Sequence, residues 1–404
     1  MLNEQDIEKL IEPIVERQQS INLYILEKIA KRIKEIGTMT PSDVNALTLM
    51  VKRGADVRDI NNQLARLSTL QVKDIKAMIK YIAEDSYKDA KRFYDYNEIP
   101  YIPFEKNTYL QMVITSVAKQ TADTYINLAK AQAFMLRDPL NPSILTPTPV
   151  AQAYQKVLDE AIQASQSGIS TYNVQMQSAM KQLVESGIRN VTYNTKSGKL
   201  YTQRLDTAVR RNLLDGVRAI NQGVQDEVGK QFGADGKEIT VHENPAPDHA
   251  PVQGHQFTNE EFDKLQSAQP FKDVNGNTFS SFKRAIGTLN CRHFTFSIVV
   301  GVINPTYSES ALKAILERNN KGYTFPNGKH LTMYECTQYQ RKLELELRKA
   351  HDGQSMAEVA GNDKLKDFYT NKVKKLNAQY KKFSNDCGLK PKWNKTYTKD
   401  YSKL

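Results

Sequence analysis

Leu205, Val209, Leu213, Val217, Ile220, Val224 and Val228 step along the middle of this chain by four or three positions. Such spacing sets one apolar side chain per turn on one face of an α-helix, so about seven turns must bury a stripe. Shorter stripes recur. Ile7, Leu10, Ile11, Ile14 and Val15 form one, which Pro13 should bend or restart, and Ile21, Ile25, Ile29 and Ile33 form a second that stops at Gly37. Thr40, Pro41 and Asp43 supply the N-cap, first-turn proline and first-turn acid of a third helix reaching Gly54. Leu110, Val113, Ile114 and Val117 open a helix that can run to Arg137, where Asp138-Pro139 ends it. Tyr154, Val157, Leu158 and Ala161 repeat the pattern, as do Met176, Ala179, Met180, Leu183 and Val184, with Gly187 placed as the residue after a helix end.

Only 19 glycines and 15 prolines interrupt 404 residues, which favours long helices over a turn-rich β fold. Strand signals are confined to the middle. NVTYNTKSGKLYT at 190–202 has two β-rich arms around a Lys-Ser-Gly-Lys turn, and KEITVH at 237–242 and CRHFTFSIVVG at 291–301 alternate as strands do. Helices resume over 334–351 and from about Ser355 to Phe383. The fold class is therefore mainly α with a central α+β module, in several domains. Pro139, Pro142, Pro147 and Pro149 mark 139–149 as an extended linker. The expected organisation is a helical region at 1–138, that linker, the α+β module at 150–305, a helical region at 306–387 and a basic flexible arm at 388–404. The opening MLNEQDIEKL lacks a secretory pattern, and FTFSIVVGVI at 294–303 falls short of the ~20 apolar residues of a spanning helix, so no membrane partner is expected. Three cysteines, Cys291, Cys336 and Cys387, are too sparse for a disulfide framework and suit a reducing compartment.

The chain's nine histidines and cysteines are not spread evenly. Residues 242–293 hold five of them, His242, His249, His255, Cys291 and His293, where even scatter would give about one. Cys291 and His293 are two apart and would share a strand face, with Phe294 and Phe296 on the other; His242 would lie on the polar face of its own strand. His249 and His255 with Cys291 and His293 make two donor pairs of the kind that hold a structural zinc, with His242 as a substitute. The spacing matches no standard zinc finger. Two other readings stand beside it: a polar turn in which these side chains hydrogen-bond backbone while Cys291 packs as a small apolar group, or catalysis through a Cys291 nucleophile or a metal-dependent nuclease site. No nucleotide-binding, serine-hydrolase or zinc-protease motif supports an enzyme.

HENPAPDHAPVQG at 242–254 and GTLNCRHFTFSIVVG at 287–301 carry a further signal, with RLDTAVRRNLLDGV upstream and YECTQYQRKLELELRKA downstream. Over roughly 150–385 these strings resemble the minor capsid proteins of tailed bacteriophages, in the broad Mu F-type head-morphogenesis group. One departure is Ala246, where the family usually has an arginine before the Pro-Asp-His step. The resemblance implies a structural, non-enzymatic head protein in the interior of the virion, made in the host cytoplasm. It also implies contact with the portal protein, with the major capsid protein or inner capsid surface, and with DNA.

Lysine and arginine exceed aspartate and glutamate by 56 to 45, giving a net charge of +11, and the excess is local. Residues 364–404 hold twelve lysines against Asp367, Asp386 and Asp400, a net +9. Phe368, Val373, Leu376 and Tyr380 are spaced as the buried stripe of a helix whose lysines face solvent. Beyond Gly388 the periodicity stops, and Lys390, Lys392, Trp393, Lys395, Tyr397, Lys399, Tyr401 and Lys403 interleave charge and rings. That pattern suits nonspecific contact with double-stranded DNA by a partner-ordered arm.

Overall fold

The computed structural model describes residues 4–38, 46–96, 98–138, 141–166, 169–193, 200–267, 271–272, 278–279, 285–287, 291 and 293–400. Ten α-helices lie among them: α1 (Glu4–Thr38), α2 (Ala46–Tyr96), α3 (Thr108–Lys130), α4 (Val150–Gln166), α5 (Ile169–Ser186), α6 (Leu205–Gln231), α7 (Asn259–Gln266), α8 (Glu309–Lys321), α9 (Met333–Val359) and α10 (Asp363–Asp386). The strands are β1 (Gln132–Arg137), β2 (Leu145–Pro149), β3 (Arg189–Tyr193), β4 (Leu200–Arg204), β5 (Gly236–Ile239), β6 (Gln256–Thr258), β7 (Phe271–Lys272), β8 (Thr278–Phe279), β9 (Thr295–Ile298), β10 (Tyr323–Thr324) and β11 (His330–Leu331). All sheets are antiparallel, so the chain is mainly α with a small α+β part, as its patterning implies. No described helix is long and apolar enough to cross a membrane.

Several expected boundaries move. Pro13 lies inside α1, which joins the first two stripes into one helix; Ile11, Ile14, Ile21 and Ile25 are all buried, and that burial on both sides of the proline offsets its missing donor. Gly54 does not stop α2, whose buried stripe continues through Ile60, Leu67, Ile75, Ile79 and Tyr87 to Tyr94. The expected cap at Thr40–Asp43 lies outside the described residues, as does the turn at 194–199. Helix α3 ends at Lys130, not Arg137, because QAFMLR pairs as β1 between β2 and β3. The stretch expected as a linker contains β2, and its prolines are tolerated because β2 is an edge strand of the order β2-β1-β3-β4. The second C-terminal helix begins at Asp363, since Ser355 belongs to α9.

The chain gathers into two compact units. The first comprises residues 1–11, 73–124 and 210–338, the second residues 12–72, 125–209 and 339–404. In the first, β5 lies between β6 and β9. Ile239, Val252, Phe257, Phe262, Leu265 and Ile286 form a buried cluster there. Thr258 and Glu261 form a reciprocal capping box that starts α7, placing Phe262 and Leu265 in that cluster. Thr258→Ala is expected to lower stability by about 1 kcal/mol in denaturant unfolding, through loss of the cap alone.

In the second unit the predicted 190–202 hairpin is β3 and β4. Gly187 closes α5 with φ +55°, its N–H donating to the Leu183 carbonyl, as its position implies. A Cβ there would collide with the Arg204 guanidinium, so glycine serves both the turn and the packing. Arg204 and Arg348 flank the buried Asp206, with Nε–Oδ1 and Nη2–Oδ2 separations of 3.4 and 2.9 Å.

Candidate functional site

The first unit's three-stranded sheet explains how residues 42 positions apart meet. Ile239 ends β5 and pairs with Thr295, which begins β9, so the loop leaving β5 and the segment entering β9 emerge at the same end. The 240–254 loop folds back on its root. Gly254 donates its N–H to the Ile239 carbonyl (2.8 Å) with φ +75°, and Phe294 donates to Thr240 Oγ1 (2.9 Å). A tight turn at 246–253 has His249 and Ala250 donating to the Ala246 carbonyl, and Val252 packs fully buried in the core cluster. The strands are shorter than the alternating strings, so His242, Cys291 and His293 lie beyond the strand ends.

Three of the four expected donors converge. Cys291 Sγ lies 3.3 Å from His249 Nδ1 and 3.3 Å from His293 Nδ1. The donor atoms of the three residues all fall within 4.8 Å of one another, and the residues are 3%, 1% and 4% exposed. His255 does not join them; its Nε2 faces Glu309 Oε1 at 3.4 Å and its ring packs near Phe257. His242 lies edge to face against the His293 ring, with 4.6 Å between centroids, next to the donors but outside their group.

Each histidine's other nitrogen faces an oxygen. His293 Nε2 is 3.2 Å from Gln253 Oε1, which also accepts the His242 backbone N–H at 2.9 Å, and His249 Nε2 is 3.7 Å from Asp248 Oδ2. Burial pushes the Cys291 thiol up. Against this act the hydrogen bond and charge of His249, the Arg218 guanidinium and a Gly287 backbone hydrogen bond, which together hold it below the ordinary thiol value. Arg218, from α6, is itself buried and donates to the Gly287 carbonyl (3.3 Å). Gln253 and Arg218 carried no signal in the sequence, because a lone glutamine or a helix arginine is ordinary until its neighbours are known. The chemistry open to the cluster is metal ligation through one sulfur and two nitrogens, or a shielded thiolate–imidazole contact.

The expected nucleic-acid residues lie in the second unit. The segment after α10 is not a loose arm over its described length. Trp393–Lys395 form a 3₁₀ turn, Lys392 N–H donates to Tyr380 Oη (2.7 Å), and Trp393 meets the Tyr380 ring at 5.0 Å. Lys395 pairs with Glu12, Lys399 pairs with Glu16 at 2.6 Å, and Ser20 Oγ donates to the Lys399 carbonyl. Two of the expected phosphate-binding lysines are thus matched to carboxylates of α1, while Lys390, Lys392, Trp393 and Tyr397 are exposed. Tyr401 and Lys403 fall outside the described residues.

On α10 the buried stripe is Leu365, Tyr369, Val373, Tyr380 and Phe383; Phe368 is turned outward, 46% exposed, with Lys181 Nζ 4.3 Å above its ring. Lys364, Lys374, Lys375 and Lys381 are exposed on the outer side of this helix.

A family model described as phage minor capsid protein 2 matches residues 2–385. No curated protein and no solved structure matches the chain.

Proposed function

From the premise that this chain belongs to the phage minor capsid protein 2 family, we propose that it serves as an internal head protein, docking on the portal or inner capsid surface and touching packaged DNA. The family gives it a structural role in the capsid and interaction with other virion components. Its particular partners, the portal protein and the major capsid protein, follow from the sequence resemblance. Position in the particle is checked by mass spectrometry of purified heads and proheads; abundance in lysate with absence from both would overturn the reading.

The DNA contact is supported by the concentration of charge on α10 and the segment that follows. Lys374, Lys375 and Lys381 are exposed. In the segment after α10, Lys390, Lys392 and Trp393 are exposed as well. Lysines that neutralise phosphates release counterions, each steepening the dependence of log affinity on log salt by about 0.9. Lys374, Lys375 and Lys381 all changed to glutamine is expected to flatten that slope by up to about three and to weaken binding without sequence preference. An unchanged slope would place the contact elsewhere.

Binding, not turnover, is the function proposed. The observation favouring it over a nuclease is burial: His249, Cys291 and His293 have almost no surface a polynucleotide can reach. DNA cleavage with added Mg²⁺, Mn²⁺ or Zn²⁺, lost in His293→Ala, would reverse this conclusion.

A further inference from the structure

We infer that His249, Cys291 and His293 bind one zinc ion that staples the 242–254 loop to the entry of β9. The inference is independent of the capsid reading, since it rests on the geometry of the first unit alone.

Distance is the first support. Zinc–sulfur and zinc–nitrogen bonds of about 2.3 and 2.05 Å at a tetrahedral angle put sulfur and nitrogen about 3.6 Å apart. Both sulfur–nitrogen separations here are 3.3 Å. Both sulfur–nitrogen separations thus fall within a few tenths of an ångström of zinc geometry, and the third edge, nitrogen to nitrogen, is no longer than 4.8 Å.

Orientation is the second. Both rings aim Nδ1 at the sulfur and Nε2 at an oxygen, Gln253 Oε1 for His293 and Asp248 Oδ2 for His249. Gln253 Oε1 on His293 Nε2 holds that ring's proton there and leaves its Nδ1 lone pair to ligate, the arrangement that surrounds histidine ligands in metal sites, while the Asp248 carboxylate, 3.7 Å from His249 Nε2, favours the same tautomer by its charge. Two nitrogen lone pairs and a thiolate directed at one buried point are met by a soft divalent cation. Magnesium or calcium would ask for oxygen ligands.

Charge is the third. A thiolate and two neutral imidazoles leave a zinc site at +1, with Arg218 nearby. Asp248 beside His249 and Asp215 on Arg218 (3.3 Å) supply compensating negative charge. Gln253 Oε1 already receives two donors, so it supports His293 instead of ligating.

The test uses the full chain, stripped by a chelator and refilled with Zn²⁺ or Co²⁺. About one ion per chain is expected, with tetrahedral cobalt absorption and a thiolate-to-cobalt charge-transfer band. Cys291→Ser should abolish the charge-transfer band, and His249→Ala and His293→Ala should each weaken binding at least tenfold. His255→Ala should bind as the parent does, because that side chain faces Glu309. Circular dichroism confirms that each variant is folded. Alkylation of Cys291 in the folded protein provides a readout without variants: slow with Zn²⁺, accelerated by chelation. A folded parent that takes up no stoichiometric Zn²⁺ or Co²⁺, or a Cys291→Ser protein that keeps the charge-transfer band, would overturn the assignment.

Discussion

Arg348→Met is expected to lower the stability of the second unit by about 3–5 kcal/mol, because it leaves Asp206 charged, buried and short of its closest cation. Asp206 is 5% exposed and receives the Arg348 guanidinium at 2.9 Å. Arg204 stands at 3.4 Å, and the Gln19 amide donates at 3.3 Å. Arg348 also donates to the Lys395 carbonyl at 3.1 Å, so its loss frees part of the C-terminal strap as well. Burial alone would raise the Asp206 carboxyl; the charges of Arg204 and Arg348, with the Thr207 and Gln19 hydrogen bonds, hold it below the ordinary carboxylate value. The single tryptophan, Trp393, packs against Tyr380 in the same unit, so its fluorescence during urea unfolding reads the change. The double variant Asp206→Asn, Arg348→Met should be less damaged than Arg348→Met alone, since the uncompensated charge is gone. Equal or greater damage in the double variant would mean that packing, not charge, is what Arg348 supplies.

Raising the pH from about 3 to about 7 should cost this same unit about 3 kcal/mol, through the neighbouring carboxyl of Asp352. Desolvation pushes Asp352 up from 3.8 to about 6, and the charge of Asp206 adds to this while Arg204 and Arg348 oppose it. Between those values the folded chain holds a proton that the unfolded chain has released. Stability is therefore greatest on the acid side, falls through the window and levels off above it. Asp206 has the opposite sign: its folded value is depressed, so its contribution is present above the unfolded value and is lost as the pH falls. Asp352→Asn, which keeps an acceptor for Asn22 Nδ2 (3.4 Å), should remove the decline and leave the protein more stable near neutrality. A pH profile of the Trp393 transition that is the same in both proteins would show that Asp352 is not the titrating group.

Local signals were read well from the sequence, and distant ones poorly. The stripe from Leu205 to Val228 became α6 and Gly187 became a left-handed stop, because both depend only on residues within a few positions. QAFMLR was misread because a short apolar run suits helix or strand equally, and what decides it is pairing with Arg189–Asn190 and 145–149. The crowding of histidine and cysteine over 242–293 singled out residues of which the fold brings three together, and Cys291 and His293 meet although both precede β9 and share no strand face. That His249 would join them and His255 would turn to Glu309 depends on how the loop closes at Gly254. The ion pairs of the basic end were invisible in the sequence for a similar reason. Glu12 and Glu16, which pair with Lys395 and Lys399, lie 383 positions away, and no periodicity reports on a carboxylate so remote.

The prolines of β2 have a consequence for a protein of crowded assemblies. A sheet border with unsatisfied amide and carbonyl groups invites a strand from a neighbouring polypeptide, and growth by that route is hard to reverse. Pro147 and Pro149 sit opposite Met135 and Ala133 on this border and have no amide hydrogen to offer an incoming chain. The same residues that disguise a strand in the sequence thus guard that rim against runaway self-association.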